Sequence, residues 1–263
     1  MSYLAKILLY PIKSLDCVEV EQARILASGA LESDREFAIV DERGRLVNGK
    51  RNGKIHLLRS QFDIFQRTIS LQIPNHESPQ VFHLDEEQQA LAATLSNFFG
   101  FTVKLKQNSL MGFPDDPNSP GPTVISTATL TEVASWFPGV SVAQMRRRIR
   151  ANIEVGGVPA FWEDQLFSQP DNHVFLRVGD IHLLGVNPCQ RCVVPTRNPD
   201  SGEAYPNFQK IFVQQRQATL PGWVDSSHFN HFYRLSVNTR LMASETRKIL
   251  QIGNKIDIFQ PCL

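Results

Sequence analysis

NPCQRCVVPTRNPDSG, residues 187–202, places Cys189 and Cys192 three positions apart, with Arg191 just before the second and a turn-rich run after both. Four uses of the pair compete. A structural zinc site wants four ligands, usually two such pairs, and the other cysteines, Cys17 and Cys262, are isolated. Of the 7 histidines only His228 and His231 are closely spaced, so a CxxC plus HxxH site needs a distant pairing. A thioredoxin-like couple opens a helix after a strand, whereas Pro195 and Pro199 prevent a long helix here. A single thiolate is the third use. Positive charge from Arg191 favours an ionised sulfur at Cys192, and a soft thiolate suits a soft or covalent metal–sulfur centre. The fourth is a pair of buried structural cysteines.

The rest of the chain narrows the class. With 42% hydrophobic residues over 263 positions it can bury a sizeable core, as one large β domain or two modest ones. A net charge of +1 argues against a general nucleic-acid surface. No apolar run is long enough to span a bilayer. The opening MSYLAKILLYPIKS lacks the basic front and cleavage site of a secretory signal. The 4 cysteines are too sparse for a disulfide scaffold. The expectation is a soluble, cytoplasmic protein.

Periodicity predicts mainly strands. Leu4–Tyr10, Val18–Leu26, Glu36–Val40, the hairpin Phe62–Phe65 with Thr68–Ile73, and Val103–Lys106 read as strands in the first half. Asp85 is placed to cap a helix over Glu86–Phe99. Residues 107–122, QNSLMGFPDDPNSPGP, hold four prolines and two glycines and mark a boundary, giving domains 1–110 and 111–263. Beyond it, Thr127 or Thr129 can cap a helix through Trp136, and Ser141 a short helix carrying Met145. Val174–Val178 and Ile181–Val186 pair around Gly179-Asp180, and IGNKIDIF (252–259) is a turn leading into a strand. The fold class is mainly β with a few helices, α+β.

Two further elements carry charge. In MRRRIRANIEV (145–155), Arg146 and Arg147 suit a helix end. Arg150 and Asn152 flank Ala151 on what reads as a strand; residues two apart share a face there and together suit a phosphate or polar heterocycle. YPIKS (10–14) and SDREF (33–37) put Lys13, Ser14 and Arg35 at strand ends.

Taken in order, YPIKS, SDREF, RIRANIEV and CQRCVVPTRNPDSG resemble the motifs of the MOSC family over nearly the whole chain. The resemblance implies an N-terminal β-barrel-like domain packed on a MOSC β-barrel. It implies a molybdenum cofactor, a pterin whose dithiolene holds molybdenum, with Cys192 as a further sulfur ligand to the metal. It carries Lys13, Ser14, Arg35, Arg150, Asn152 and Arg191 over as cofactor contacts, with Arg150 and Asn152 at the phosphate end. Ser126 and Thr127 match more loosely, as a polar pair contributing to the same pocket. Pyridoxal phosphate binding is also attached to this family.

The implied activity is reduction of N–O bonds in a small N-hydroxylated substrate, with electrons from a separate ferredoxin-, flavin- or cytochrome-type protein. The alternative is a non-redox carrier of the cofactor or its sulfur. Ala151 replaces the family's proline, and Pro195 its first threonine after the cysteine, leaving Thr196. Asn198 stands where an aspartate is common.

Overall fold

The computed structural model describes residues 1–167, 174–224 and 226–259. His173 and Cys262 lie outside the described residues. The first half runs β1 (Tyr3–Leu9), β2 (Val18–Val20), β3 (Gln22–Arg24), β4 (Phe37–Asp41), β5 (Arg59–Asp63), β6 (Thr68–Gln72), β7 (Gln80–His83), α1 (Gln88–Phe99) and β8 (Val103–Gln107). The second half runs β9 (Val124–Ser126), α2 (Thr127–Ser135), α3 (Val142–Ile149), β10 (Ile153–Gly156), β11 (Phe175–Val178) and β12 (Ile181–Gln190). It continues with α4 (Phe208–Ala218), β13 (Arg234–Leu241), β14 (Ile249–Gln251) and β15 (Ile256–Phe259). Strands dominate and the class is α+β.

The largest sheet has eight strands in the order β15-β11-β12-β13-β9-β10-β1-β2. It is antiparallel except where β9 meets β10. Leu4 N donates to Asn254 O (2.9 Å) and Ile256 N to Ser2 O (3.0 Å), which curls the sheet back on its first strand. No continuous ladder closes it into a full barrel among the described residues. The first half adds the sheet β5-β6-β7 and the pair β4-β8, while β3 pairs with β14. No helix among the described residues is long and apolar enough to cross a membrane.

The cores do not follow the linear order. Leu4, Ile7, Leu9, Ile25 and Leu31 pack with Val124, Ile153, Leu183 and Val237 from the second half. Ile12, Leu15 and Phe37 instead join Leu71, Leu91 and Val103. The chain therefore passes from one core to another between Leu9 and Ile12. The stretch carrying Lys13 and Ser14 sits at that junction. A third core gathers Phe137, Met145, Phe208 and Phe212 beneath α2, α3 and α4.

Local departures from the periodicity have physical causes. The alternation over Val18–Leu26 breaks at Glu21, because β2 pairs with β1 and β3 with β14. Asp85 does not cap α1; its carboxylate takes Arg67 Nε (2.7 Å) and Nη2 (2.6 Å). The helix starts at Gln88 and closes on Gly100, whose φ of 81° is left-handed. Ser126, not Thr127 or Thr129, caps α2, its hydroxyl accepting from Thr129 N. Ser141 forms a full capping box with Gln144. Arg150 and Asn152 are not on a strand: Arg150 is the left-handed C-cap of α3 (φ 59°), and β10 begins at Ile153.

Candidate functional site

A cavity of about 660 Å³ opens where the cores meet, a size ordinary for small-molecule sites. Lys13, Ser14, Arg35, Arg150, Asn152, Arg191 and Cys192 all line it. Ser126 and Thr127 do not. Ser126 is fully buried under α2, its hydroxyl 2.8 Å from Thr129 Oγ1, and Thr127 Oγ1 reaches Glu154 Oε2 at 3.5 Å. The helix-cap role of Ser126 turns this polar pair away from the cavity.

Backbone geometry brings the lining residues in. Ile12 bridges Phe37, and Lys13 N donates to Phe37 O (2.8 Å), so YPIKS lies along β4. Ser14 (φ 77°), Arg35 (φ 51°) and Arg150 (φ 59°) all hold left-handed backbone. Such conformations cost energy in residues with a Cβ and cluster at binding sites. In β12 the register shifts between Gly185 and Asn187 and again between Pro188 and Gln190. These bulges break strict alternation and let Asn187, Cys189 and Gln190 all reach the cavity. Arg191 N donates to Tyr233 O (3.0 Å), and the chain then turns through Val194–Thr196 with Val194 N aimed at Cys192 Sγ (3.5 Å).

The cavity is strongly cationic. Ten lysines and arginines line it against four aspartates (Asp16, Asp34, Asp115 and Asp116). Buried Nε atoms of Arg148, Arg191, Arg197 and Arg234 have no protein partner, nor has Ser119 Oγ, and all five residues face the cavity. Buried donors are normally satisfied, so the wall is built to meet an anionic or acceptor-rich ligand. Burial pulls the Arg150 guanidinium and the Lys13 ammonium below their ordinary pKa ranges. His56 falls to about 4, by burial first and then by Arg150 and Arg197, so it is a neutral wall residue.

Several of these groups are already engaged. Asn152 Oδ1 accepts from Arg35 Nη1, Thr123 N and Thr123 Oγ1 (each 3.3 Å), and its Nδ2 donates to Leu8 O (3.0 Å). It positions Arg35 rather than offering a free amide. Cys189 is buried, and its thiol donates to Asn238 Oδ1 (2.9 Å); burial pushes its pKa up in spite of Arg191. Cys192 is partly exposed and faces the same space. The two cysteines thus divide into a neutral wall thiol and an accessible sulfur.

The zinc and thioredoxin-like readings do not assemble. Among the described residues no three His, Cys, Asp or Glu side chains are grouped to hold a metal ion. His228 packs instead on Phe167, with centroids 5.1 Å apart. A short 3-10 turn, not a helix, follows Cys192.

Tyr10, Arg148, Asp115, Thr123 and Asn238 carry no site signal in the sequence. Tyr10 ends the apolar run Leu4–Tyr10 and is a core residue, 1% exposed. Arg148, in the basic run MRRRIRANIEV, is buried, and its Nη1 donates to Pro195 O (2.8 Å) and to Arg197 O, tying α3 to the loop after Cys192. Asp115 lies in the proline-rich run 107–122, which has the composition of a linker. Thr123 and Asn238 depend on long-range pairing and carried no local signal.

Residues 1–108 match the family model of the MOSC N-terminal beta barrel domain, and residues 123–244 that of the MOSC domain. Mitochondrial amidoxime reducing component 2 of Macaca fascicularis is 25% identical, over 75% of this chain and 67% of that protein.

Proposed function

Because the chain belongs to the MOSC domain family, we propose that it is a molybdenum-cofactor oxidoreductase that reduces N–O bonds, with Cys192 as the protein's ligand to the metal. One observation carries the reading. The accessible sulfur of Cys192 shares a single cationic cavity with Lys13, Ser14, Arg35, Arg150 and Arg191, which come from both halves of the chain. MOSC domains are associated with the molybdenum cofactor, and the relative above is by name an amidoxime reducing component.

The residues fit such a group. A soft thiolate suits the metal. Arginine forks suit a phosphate, and the unpartnered arginine Nε atoms supply further donors. When bound, the cofactor supplies two-electron chemistry that converts R–NH–OH, with two protons and two electrons, into R–NH2 and water. The protein's own part is placement. Arg148 pins the Cys192 loop through the carbonyls of Pro195 and Arg197, so the sulfur is presented on a held turn. Asn152 and Asp34 orient the Arg35 guanidinium toward the cavity. Arg191 is held by Ile149 O and Ser236 Oγ (3.4 Å), leaving its Nε for a ligand. Thr196 donates to Val193 O (2.7 Å), which stiffens the turn and spends the remaining hydroxyl of that motif. A separate redox protein delivers the electrons.

The test is molybdenum and pterin content of protein made in a cofactor-competent host, together with reduction of an N-hydroxylated amidine by reduced viologen. Bound cofactor with turnover supports the enzyme. Cofactor retained without turnover, and released to an apo-enzyme, identifies a carrier instead. A protein free of molybdenum and pterin overturns both.

A further inference from the structure

The segment joining the two halves does more than connect them. Pro114, Asp115, Asp116, Ser119 and Gly121 all line the cavity. The strap is anchored at its ends: Phe113 N donates to Arg35 O (2.8 Å), Gly121 N to Thr239 O (3.2 Å), and Arg240 Nε to Asn118 O (2.7 Å). Its middle is tied to the wall through the Asp115 side chain, next to Phe113 O, which also accepts from Lys13 Nζ (2.7 Å). Asp115 Oδ1 sits 2.9 Å from Lys13 Nζ and 3.8 Å from Lys50 Nζ, so one carboxylate oxygen lies between two ammonium groups of the cavity wall.

The pair is asymmetric. The Lys13 side chain is 10% exposed and the Asp115 side chain 68% exposed. Removing the partner of a buried charge is costly, whereas an exposed carboxylate can return to water at little cost. The other acceptor of Lys13 Nζ, Phe113 O, carries no charge, so the buried ammonium is best matched by an anion. In spite of burial, Lys13, Arg35 and Lys50 hold the Asp115 carboxyl below its ordinary range, so Asp115 leaves only when another anion replaces it. Ser119, on the same strap, holds a buried hydroxyl with no partner.

We propose that Asp115 is a tethered competitor: its carboxylate fills an anion subsite made by Lys13 and Lys50 until the phosphate-type end of a ligand displaces it and loosens the strap. The inference concerns the cavity of the reading above and takes its ligand class from that reading.

The test uses the full chain from a host that makes no molybdenum cofactor, titrated with inorganic phosphate by calorimetry. Asp115→Asn binds phosphate about fivefold tighter than wild type, the scale of an exposed ion pair. Asp116→Asn removes the same charge from the same cavity, but that carboxylate engages Asn118 N (3.0 Å), so phosphate affinity stays nearly unchanged. Hydrogen exchange of residues 114–119 in the wild type speeds up on adding phosphate, an arm that stands even if a variant misfolds. Faster exchange in cofactor-loaded protein without added phosphate assigns the displacement to the cofactor; faster exchange only with added phosphate assigns it to the free oxyanion. Equal tightening by both variants marks a general field effect and overturns the proposal, as does tightening by neither. An unchanged strap in every arm also overturns it. Failure of the molybdenum reading shows instead as metal-free protein from a competent host and leaves the phosphate titration intact.

Discussion

Arg35 and Arg150 share one aromatic platform: their guanidinium carbons lie 4.8 Å and 4.2 Å from the centroid of the Tyr10 ring. Arg35 Nη2 also donates to the Arg150 carbonyl at 3.3 Å. Two like charges from opposite halves of the chain are thus brought together in the cavity wall. The Tyr10 ring, Asp34 beside Arg35, and Leu15 O, which accepts from Arg150 Nη2 (2.7 Å), offset their repulsion.

Tyr10→Leu removes the π face, together with some ring volume and the hydroxyl that donates to Ala151 O (3.3 Å). Cation–π contacts contribute about 0.5–2 kcal/mol each, and the lost volume adds to this, so the variant is expected to lose at least about 2 kcal/mol in urea unfolding. It is also expected to copurify with less molybdenum than wild type. Unchanged stability and metal content would contradict the platform role.

Away from the cavity lining, Arg216 is fully buried, pairs with Asp164, and lies over Phe161 and Phe229 at 4.5 Å and 5.1 Å. Asp164→Ala strands that charge, at a cost of about 3–5 kcal/mol. The double variant Asp164→Leu with Arg216→Met, an apolar replacement of the pair, recovers most of the loss. Denaturant midpoints of the single and double variants check this.

Glu163 gives a pH signature. Burial first and then neighbouring Asp164 raise its pKa from 4.5 to about 7. The folded state therefore holds a proton that the unfolded chain has released. This contribution to stability is fully present below pH 4.5 and is lost as pH rises toward 7. Glu163→Gln cannot ionise, so the difference in melting temperature between variant and wild type grows in the variant's favour across that window. A difference independent of pH would contradict the assignment.

Fold class was legible because alternation marks half-buried strands, and the hairpin around Gly179-Asp180 and the capping box at Ser141 are local signals that the structure keeps. What was illegible depends on pairing at a distance. α4 and β13 have no strong local punctuation, and the split of Val18–Leu26 reflects two different partner strands. Motif residues could be named because they cluster in short runs. The reason Arg150 faces the cavity could not, since it is a left-handed helix cap rather than strand alternation. Asp115 looked like linker because nothing near it in sequence reveals that Lys13, far upstream, lies beneath it.

The central claim is that the Cys192 sulfur binds the metal, and molybdenum K-edge absorption of the purified protein tests it most directly. The account predicts that Cys192→Ser, wherever it still retains molybdenum, shows one sulfur neighbour fewer at the metal than wild type. An identical sulfur shell in the two proteins, or wild type made in a competent host without molybdenum, would contradict it.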